Sequence, residues 1–305
     1  MIPRSNRCTL CALLVANVLF AAGCADSVSP APKEQAAEVA PDQSQKSLRH
    51  EDLDAILWVQ TSGEYNAITR QTYRLAELTL KDALADPNWT ASLEQQSLVD
   101  SGEVKLADLK PAVILDVDET VLNNSRFQVG LIESETEYTR DGWKAFVTRK
   151  ESTAVAGAVD FVNACRDAGV KVIFLTNREH EVEGSTVENL VSVGLMKEAD
   201  PDAVFSKYEK EDWKSDKITR RTELASKYRL LLLVGDDLHD FASTGHHPSS
   251  EKRREMVDSH PQRWGQKWIV LPNPNYGGWE QSLQDWNNLS SPETKLEQKR
   301  SHLQN

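Results

Sequence analysis

Cysteine is scarce in this 305-residue chain, and its distribution excludes a fold stabilised by internal disulfides. Three of the four cysteines, Cys8, Cys11 and Cys24, lie in the first 24 residues, which leaves Cys165 alone in the rest of the chain. We expect Cys165 to pack as a small buried hydrophobe. No unit recurs at a fixed period, which excludes a repeat architecture and favours one domain with appendages.

Positive charge is in deficit, since the formal net charge is −12 at pH 7. An acidic chain repels the phosphate backbone of DNA and RNA, so a nucleic-acid polymer is not an expected partner. A small anionic substrate would need local cations, supplied by a metal or by a few Lys and Arg side chains.

Long apolar runs are missing, except near the amino terminus. Residues 1–23 have the pattern of an export signal, with Arg4 and Arg7 followed by an apolar run from Cys8 to Ala22. That run is too short to span a bilayer comfortably. We therefore expect residues 1–23 to be removed as a signal peptide.

The end of this signal resembles a bacterial lipobox, Ala-Ala-Gly-Cys at 21–24. The resemblance implies that Cys24 becomes a lipidated amino terminus that anchors the protein in the bacterial cell envelope. A plain secretory signal with a free Cys24 is the alternative. Ala25 favours the outer membrane by analogy with bacterial sorting. Residues 24–47 are rich in Ala, Pro, Gln, Ser and Glu, which predicts a disordered tether.

Apolar, β-favouring runs alternate with helical patterns along the remaining chain. Strands are predicted at 112–115, 171–176, 230–234 and 268–271, with a short apolar stretch at 203–205. Helical patterns run from about 48 to 85 and from 155 to 165, continue to Gly194 after the second strand, and recur from 213 to 228. This alternation predicts an α/β fold with a doubly wound parallel sheet.

Polar clusters directly follow three of these strands, where open α/β sheets carry their chemistry. Asp116 and Asp118 follow the first strand, and one carboxylate could attack phosphorus while the other moves protons. Asp116 and Asp236, at two strand ends, have the oxygen ligands that Mg²⁺ prefers. Asp240, one helical turn beyond Asp236, could ligate or orient a metal-bound water.

Three further side chains could bind phosphoryl oxygens. Thr176 offers a hydroxyl group, Asn177 an amide and Lys217 a positive charge, which are the groups that phosphoryl transfer requires. Lys214 is the alternative lysine, because it is three residues from Lys217 on the same predicted helix. Arg178 could add charge to the site or be paired on the surface.

Four segments carry a family resemblance, and they occur in the family's order. They are Asp-Val-Asp-Glu-Thr-Val-Leu-Asn-Asn at 116–124, Leu-Thr-Asn-Arg at 175–178, Lys-Ser-Asp-Lys at 214–217 with Arg-Arg at 220–221, and Gly-Asp-Asp-Leu-His-Asp-Phe at 235–241. They resemble the motifs of the haloacid dehalogenase (HAD) superfamily and, more narrowly, those of the class C acid phosphatases, which are bacterial lipoproteins. Glu119, where the wider superfamily usually has Gly, is this class's variant. The resemblance runs from about Leu53 to Glu280.

The resemblance implies roles for the acidic residues. Asp116 would attack phosphorus and bind Mg²⁺ through its other oxygen. Asp118 would protonate the leaving alcohol and then deprotonate the attacking water, and its backbone carbonyl would bind the metal. Asp236 would complete the protein's metal ligands and Asp240 would support the site. Thr176, Asn177 and Lys217 would hold the phosphoryl group.

The resemblance also implies an HAD-like core with a small helical cap. The boundaries that we predict are 48–290 for the domain, with a helical and cap part at 48–110 and 123–153, a core at 111–122 and 154–285, and a polar tail at 291–305. The aromatic residues within 123–153 could form a lid or a small separate core.

Three aromatic residues are candidate substrate contacts. Trp143 and Tyr276 match positions where related enzymes place rings against the leaving group, and Phe127 lies near the site where the class usually has Tyr. A flat aryl group or nucleobase could stack there, and ordinary packing is the alternative. His239, His246 and His247 could be taken for a metal cluster, but their polar setting favours solvent exposure.

The leading hypothesis is a membrane-tethered, Mg²⁺-dependent phosphomonoesterase. The substrates implied by the resemblance are small extracytoplasmic esters such as nucleoside 5'-monophosphates, nicotinamide mononucleotide and aryl phosphates. A surface lipoprotein that binds haem or a nucleotide without turnover is one alternative, and phosphoryl transfer to an acceptor other than water is another. A monomer and a homodimer both stay open.

Overall fold

The computed structural model describes residues 51–287 and 289–304. The predicted signal peptide, Cys24 and the predicted tether therefore lie outside the described residues. Over the described ranges, no helix is both long enough and apolar enough to pass through a membrane.

Helices and parallel strands alternate as the sequence predicts. The helices are α1 (Leu53–Thr61), α2 (Gly63–Ala85), α3 (Leu93–Asp100), α4 (Ser125–Ser134), α5 (Arg140–Arg149), α6 (Ala158–Asp167), α7 (Glu183–Ser192), α8 (Ile218–Lys227), α9 (Ser250–Asp258), α10 (Gly278–Gln281) and α11 (Pro292–Ser301). The strands are β1 (Lys110–Leu115), β2 (Leu122–Asn123), β3 (Thr153–Ala154), β4 (Lys171–Glu179), β5 (Val204–Lys207), β6 (Tyr228–Gly235) and β7 (Trp268–Val270).

The main sheet of the described chain has five strands in the order β5-β4-β1-β6-β7, and all of its pairs are parallel. The predicted doubly wound α/β fold is confirmed. In the register of β1, Leu115 lies opposite Phe174 of β4 and Val234 of β6. The carboxyl ends of these three central strands therefore meet at one edge of the sheet.

Strand β1 is apolar and buried from Ala112 to Leu115, where helices cover both of its faces. Val113 and Leu115 belong to one buried cluster, which includes Phe161 of α6. Ala112 and Ile114 belong to a second cluster on the opposite face. A strand that is buried on both faces has no alternation of polar and apolar residues. Asp116 is therefore the first acidic residue after an uninterrupted apolar run, and it shows where the strand ends.

Two helix boundaries differ from the sequence interpretation. The pattern from 48 to 85 is divided into α1 and α2 at Ser62, whose side chain accepts a hydrogen bond from the Tyr65 amide and caps α2. The helix predicted from Trp213 to Tyr228 is wrong at its start. Trp213 instead lies in a turn, where its carbonyl accepts from the Tyr208 amide at 2.8 Å and its ring is buried.

Helices α4 and α5 form the small cap between the short antiparallel strands β2 and β3. Phe127, Phe146 and Val147 form a separate small core with Val182, and Trp143 packs against it. This is the separate core that was one of the two interpretations of the aromatic segment. Helix α11 lies within the predicted polar tail.

Candidate active site

Three carboxylates from distant parts of the chain meet at the carboxyl edge of the sheet. Ligand oxygens of Asp116, Asp236 and Asp240 all lie within 4.8 Å of one another. Asp116 follows β1 and Asp236 follows β6, and the Asp116 amide donates to the Val234 carbonyl at 2.9 Å. Backbone pairing of the two strands therefore fixes the distance between these two acids.

Asp240 reaches the cluster through a tight turn and not through the α-helical face that the spacing predicts. A 3-10 turn at Leu238–Asp240 returns the side chain toward the strand end, where Oδ2 accepts from the amides of Asp236 and Asp237 at 3.2 and 3.0 Å. Gly235 leaves room for this return, because a Cβ there would lie 2.2 Å from Asp240 Oδ2.

Lys217 is the lysine that contacts the carboxylates. Its Nζ donates to Asp116 Oδ1 at 2.5 Å and to Asp240 Oδ1 at 2.6 Å, and the side chain is buried. Burial alone would lower the pKa of Lys217, but Asp116 and Asp240 more than offset this and raise it. Lys214 lies instead over the Tyr208 ring, at 5.2 Å from its centroid. Lys217 therefore brings a permanent positive charge to Asp116, and Lys214 does not.

The cluster carries more negative charge than its lysine can balance. Burial raises the pKa of Asp116 from 3.8 to about 7, the charges of Asp240 and Asp118 add to the increase, and Lys217 acts in the opposite direction. Burial and the charges of Asp116 and Asp240 also raise the pKa of Asp236 well above its ordinary value. A divalent cation with a preference for oxygen ligands would relieve this repulsion, so these residues fit one.

Two side chains that the sequence analysis did not assign hold Asp236 in place. Thr120 Oγ1 donates to Asp236 Oδ1 at 3.1 Å, and Asn273 Nδ2 donates to Oδ2 at 2.8 Å. Asn273 follows the last strand, β7. Its position after a strand end is the feature of the sequence that could have indicated a role in the site. Both contacts orient a carboxylate at the cluster.

A second group of possible metal ligands, His180, Glu183 and Glu209, also has its ligand atoms within 4.8 Å of one another. His180 and Glu209 are exposed, and Glu183 accepts hydrogen bonds from Ser206 and from His180. The strand-end acids Asp116 and Asp240 are buried, whereas two of the three groups here are exposed and the third is already paired. The strand-end cluster is therefore the better cation site.

The histidines near Asp240 do not form a metal cluster. His246 and His247 are exposed, as the sequence analysis favours. His239 bonds to Asp237 through Nδ1 at 2.7 Å and to Thr244 through Nε2 at 2.9 Å. Asp237 caps the 3-10 turn, where its side chain accepts from the His239 amide.

Glu119 links the turn after β1 to the loop after β7. Its backbone has the left-handed φ of 55°, and its buried carboxylate accepts from the Asn124 amide at 2.8 Å, from Asn124 Nδ2 at 3.0 Å and from the Tyr276 hydroxyl. Burial and the Asp118 charge raise the pKa of Glu119 to about 7, against the effect of these donors. The three donors give a physical reason for a Glu at this strained position.

Arg178 is buried, so the interpretation of a surface pair is wrong. Its Nε donates to Asp118 Oδ1 at 2.9 Å, and Nη2 forms an ion pair with the same oxygen at 2.8 Å. Asp118 is thus held from the neighbouring strand β4, on which Arg178 lies.

Thr176 and Asn177, the predicted phosphate ligands, lie within β4, because this strand continues to Glu179 and the strand end predicted at 176 is wrong. Thr176 is buried, and its Oγ1 accepts from the Arg178 amide at 3.0 Å. Asn177 is exposed, and it accepts from Arg220 Nη2 at 2.6 Å and donates to the Ser215 carbonyl at 3.0 Å. Asn177 therefore ties β4 to the segment that carries the lysine, and phosphate binding by both residues stays a prediction.

Comparisons with known proteins agree with this geometry. The family model described as HAD superfamily, subfamily IIIB (acid phosphatase), matches residues 29–279. The class C acid phosphatase from Bacillus anthracis is similar to this chain in two solved structures, one of which has tungstate bound. Each structure has 30% sequence identity and a TM-score of 0.71, covering 83% of this chain and 97% of that chain.

The chain belongs to the subfamily IIIB acid phosphatases of the HAD superfamily. It is therefore a phosphomonoesterase, and the alternative of a lipoprotein that binds without turnover loses its support. The strand-end carboxylates of this acid phosphatase are the acidic groups that could bind the divalent metal typical of HAD enzymes.

The three candidate aromatic residues of this acid phosphatase each contact other side chains of the protein. Phe127 is buried against Trp143, with ring centroids 5.0 Å apart, and against Phe146 at 5.4 Å. Trp143 is partly exposed, and the Tyr276 hydroxyl donates to Glu119. Packing explains these contacts, and contact with a leaving group stays a prediction for all three candidate residues.

Proposed function

We propose that this acid phosphatase is a Mg²⁺-dependent enzyme that hydrolyses small phosphate monoesters through an aspartyl-phosphate on Asp116. The observation that carries the proposal is the position of Asp116 between Lys217 and the carboxylates of Asp236 and Asp240. A carboxylate beside a fixed ammonium and a cation site can approach an anionic phosphoryl group without strong repulsion.

In the first step, a carboxylate oxygen of Asp116 attacks phosphorus while the bond from phosphorus to the ester oxygen breaks. Asp118 donates its proton to that oxygen, and the alcohol leaves. In the second step, Asp118 takes a proton from water as the water oxygen bonds to phosphorus. The bond to Asp116 then breaks, which releases phosphate and leaves Asp116 ionised and Asp118 protonated, as at the start.

Asp116, Asp236 and the backbone carbonyl of Asp118 would hold the metal. When bound, Mg²⁺ would neutralise charge on the phosphoryl oxygens. Asp240 is proposed to support the site, because its oxygens already accept from Lys217 and from backbone amides. Lys217 would balance the charge of the transferred phosphoryl group, with Thr176 and Asn177 beside it.

The proposed substrates are monoesters with flat leaving groups, namely nucleoside 5'-monophosphates, nicotinamide mononucleotide and aryl phosphates. Trp143, whose partly exposed ring lies against Arg178, and Tyr276, which contacts Glu119, support this choice, because flat rings stack on aromatic side chains. Phe127 lacks the hydroxyl group of the Tyr that this class usually has, so its side of the site would select by shape and not by hydrogen bonding.

A phosphate-release assay tests the proposal. Phosphate should be released from a panel of monophosphates with Mg²⁺, should stop when a chelator is added and should resume when Mg²⁺ is restored. Turnover that persists in full with chelator would contradict the metal requirement. Product analysis with added alcohols separates hydrolysis from transfer to another acceptor, since transfer would yield new phosphate esters.

We also propose that the enzyme works outside the cytoplasm, anchored through lipidated Cys24 to the outer membrane of a bacterium. The lipobox-like Ala-Ala-Gly-Cys at 21–24 and the tether composition after it support this proposal. Labelled palmitate should enter the wild-type chain and not the Cys24→Ser chain. Label on both chains would contradict the anchor at Cys24.

A further inference from the structure

Arg178 is held on several sides at the centre of this site. The side chain is 1% exposed, and Nη1 donates to Thr186 Oγ1 at 3.3 Å while Nη2 donates to Asn124 Oδ1 at 3.1 Å. The indole ring of Trp143 lies against the guanidinium group, with 5.5 Å from Cζ to the ring centroid. A guanidinium group with this many fixed contacts has little freedom to reorient.

The contacts of Arg178 distinguish the two oxygens of Asp118. Oδ1 accepts hydrogen bonds from Arg178 Nε at 2.9 Å and from Asn124 Nδ2 at 2.9 Å, and Arg178 Nη2 lies 2.8 Å from it as an ion pair. Across residues 51–287 and 289–304, Oδ2 has no recorded hydrogen bond, and the Asp118 side chain is 20% exposed. A proton on Oδ1 would point at donor hydrogens, so Oδ2 is the oxygen that can exchange a proton with a ligand.

We propose that Arg178 is a positioning residue that fixes Asp118 with Oδ2 toward the leaving-group oxygen, an inference that rests on the proposed function of Asp118. The Oδ2 proton passes to the ester oxygen as the phosphorus–oxygen bond breaks and the bond from Asp116 to phosphorus forms. Because Trp143 belongs to α5 of the cap, Arg178 also links the orientation of Asp118 to the position of the cap.

The test depends on the leaving group. An acidic phenol leaves as its anion without being protonated. A weakly acidic phenol needs a proton from a general acid as it leaves. Substituted phenyl phosphates keep nearly the same shape while the acidity of the phenol varies. The ratio kcat/KM reports the step in which the phenol leaves, so it is measured across this series with Mg²⁺.

Arg178→Lys keeps the charge but loses the two-nitrogen contact with Asp118. Its kcat/KM should fall at least about tenfold more for phenyl phosphate than for dinitrophenyl phosphate. The matched control is Arg221→Lys, since Arg221 is also buried and contacts Glu94 through Nε at 3.0 Å and Nη2 at 2.8 Å. Any loss in that control should be equal for all the esters.

An equal loss for every ester in a folded Arg178→Lys chain would overturn the positioning role. If that chain does not fold, Thr186→Val decides the matter, because it removes the hydroxyl that accepts from Arg178 Nη1 at 3.3 Å and leaves every residue proposed to contact the ester in place. A loss that grows as the phenol becomes less acidic supports the inference, and a uniform loss overturns it. Absence of Mg²⁺-dependent turnover in the wild-type chain would overturn the proposed function and the positioning role together.

Discussion

Asp116 is the residue on which the proposed chemistry depends. Asp116→Asn keeps the shape of the side chain but removes its nucleophilic carboxylate, so kcat should fall by more than about a thousandfold. Release of para-nitrophenol from its phosphate ester measures the loss. The control is Asp160→Asn, an exposed acid in α6, which should leave activity unchanged. Comparable turnover in the Asp116→Asn and wild-type chains would contradict the nucleophile assignment.

Asn273 should affect metal binding more than catalysis. Asn273→Ala removes the 2.8 Å hydrogen bond to Asp236, so this carboxylate loses one of its two orienting contacts. We expect the Mg²⁺ concentration for half-maximal activity to rise by about ten- to a hundredfold, with most activity recovered at saturation. A titration of activity with Mg²⁺ measures this, and an unchanged midpoint would show that Asn273 does not orient a metal ligand.

The sequence predicted which acids meet but not how each is held. Asp116 and Asp236 end apolar strands, and that signal is local. The hydrogen bond from Asn273 to Asp236 and the pair between Arg178 and Asp118 join residues far apart in the chain. Such contacts depend on how side chains pack across neighbouring strands, which residue spacing does not encode.

At the level of elements, the turn after β6 must begin with a glycine. In Gly235→Ala, the added Cβ would lie 2.2 to 2.4 Å from Asp240 side-chain atoms, so Asp240 has to move away from Lys217. We expect lower thermal stability and weaker activation by Mg²⁺.

The matched control for Gly235→Ala is Gly130→Ala, in α4, where a Cβ meets nothing within 4 Å. That substitution should stabilise the protein by about 0.5 to 1 kcal/mol, because alanine favours a helix over glycine. Thermal unfolding and Mg²⁺ titration are measured for both chains. Equal behaviour of the two variants would contradict the steric role of Gly235.

The elements themselves were largely predictable, and the exceptions have physical causes. The helical spacing of apolar residues predicted one helix from Trp213 to Tyr228. Trp213 is instead buried in a turn, with its ring centroid 5.8 Å from that of Phe205. An aromatic side chain can be buried from a loop as well as from a helix. Helix α8 begins only at Ile218, and Lys217 is its N-cap residue.

At the level of the whole molecule, the clustered carboxylates of the active site make the free energy of unfolding depend on pH and on bound metal. In the metal-free protein, Asp116 and Asp236 have raised pKa values, so the native state keeps protons that the unfolded chain has lost. The free energy of unfolding should therefore fall as pH rises from about 6 to about 8. Bound Mg²⁺ balances the ionised carboxylates and should stabilise the protein more at the higher pH.

Thermal unfolding with chelator and with Mg²⁺, at about pH 6 and about pH 8, checks this linkage. The midpoint with chelator should be lower at the higher pH, and Mg²⁺ should raise it more there. Asp236→Asn should reduce both effects, because it removes one carboxylate from the cluster. A rise with Mg²⁺ that is the same at both pH values would contradict the linkage.

Acid quenching of the enzyme during turnover, followed by peptide mapping, decides whether Asp116 carries the phosphoryl group. With Mg²⁺ and para-nitrophenyl phosphate, we predict a phosphoryl group on the peptide that contains Asp116. It should accumulate further in Asp118→Asn, because the attacking water then lacks its base. A phosphoryl group on another residue, or phosphate release from the Asp116→Asn chain at the wild-type rate, would contradict the proposed mechanism.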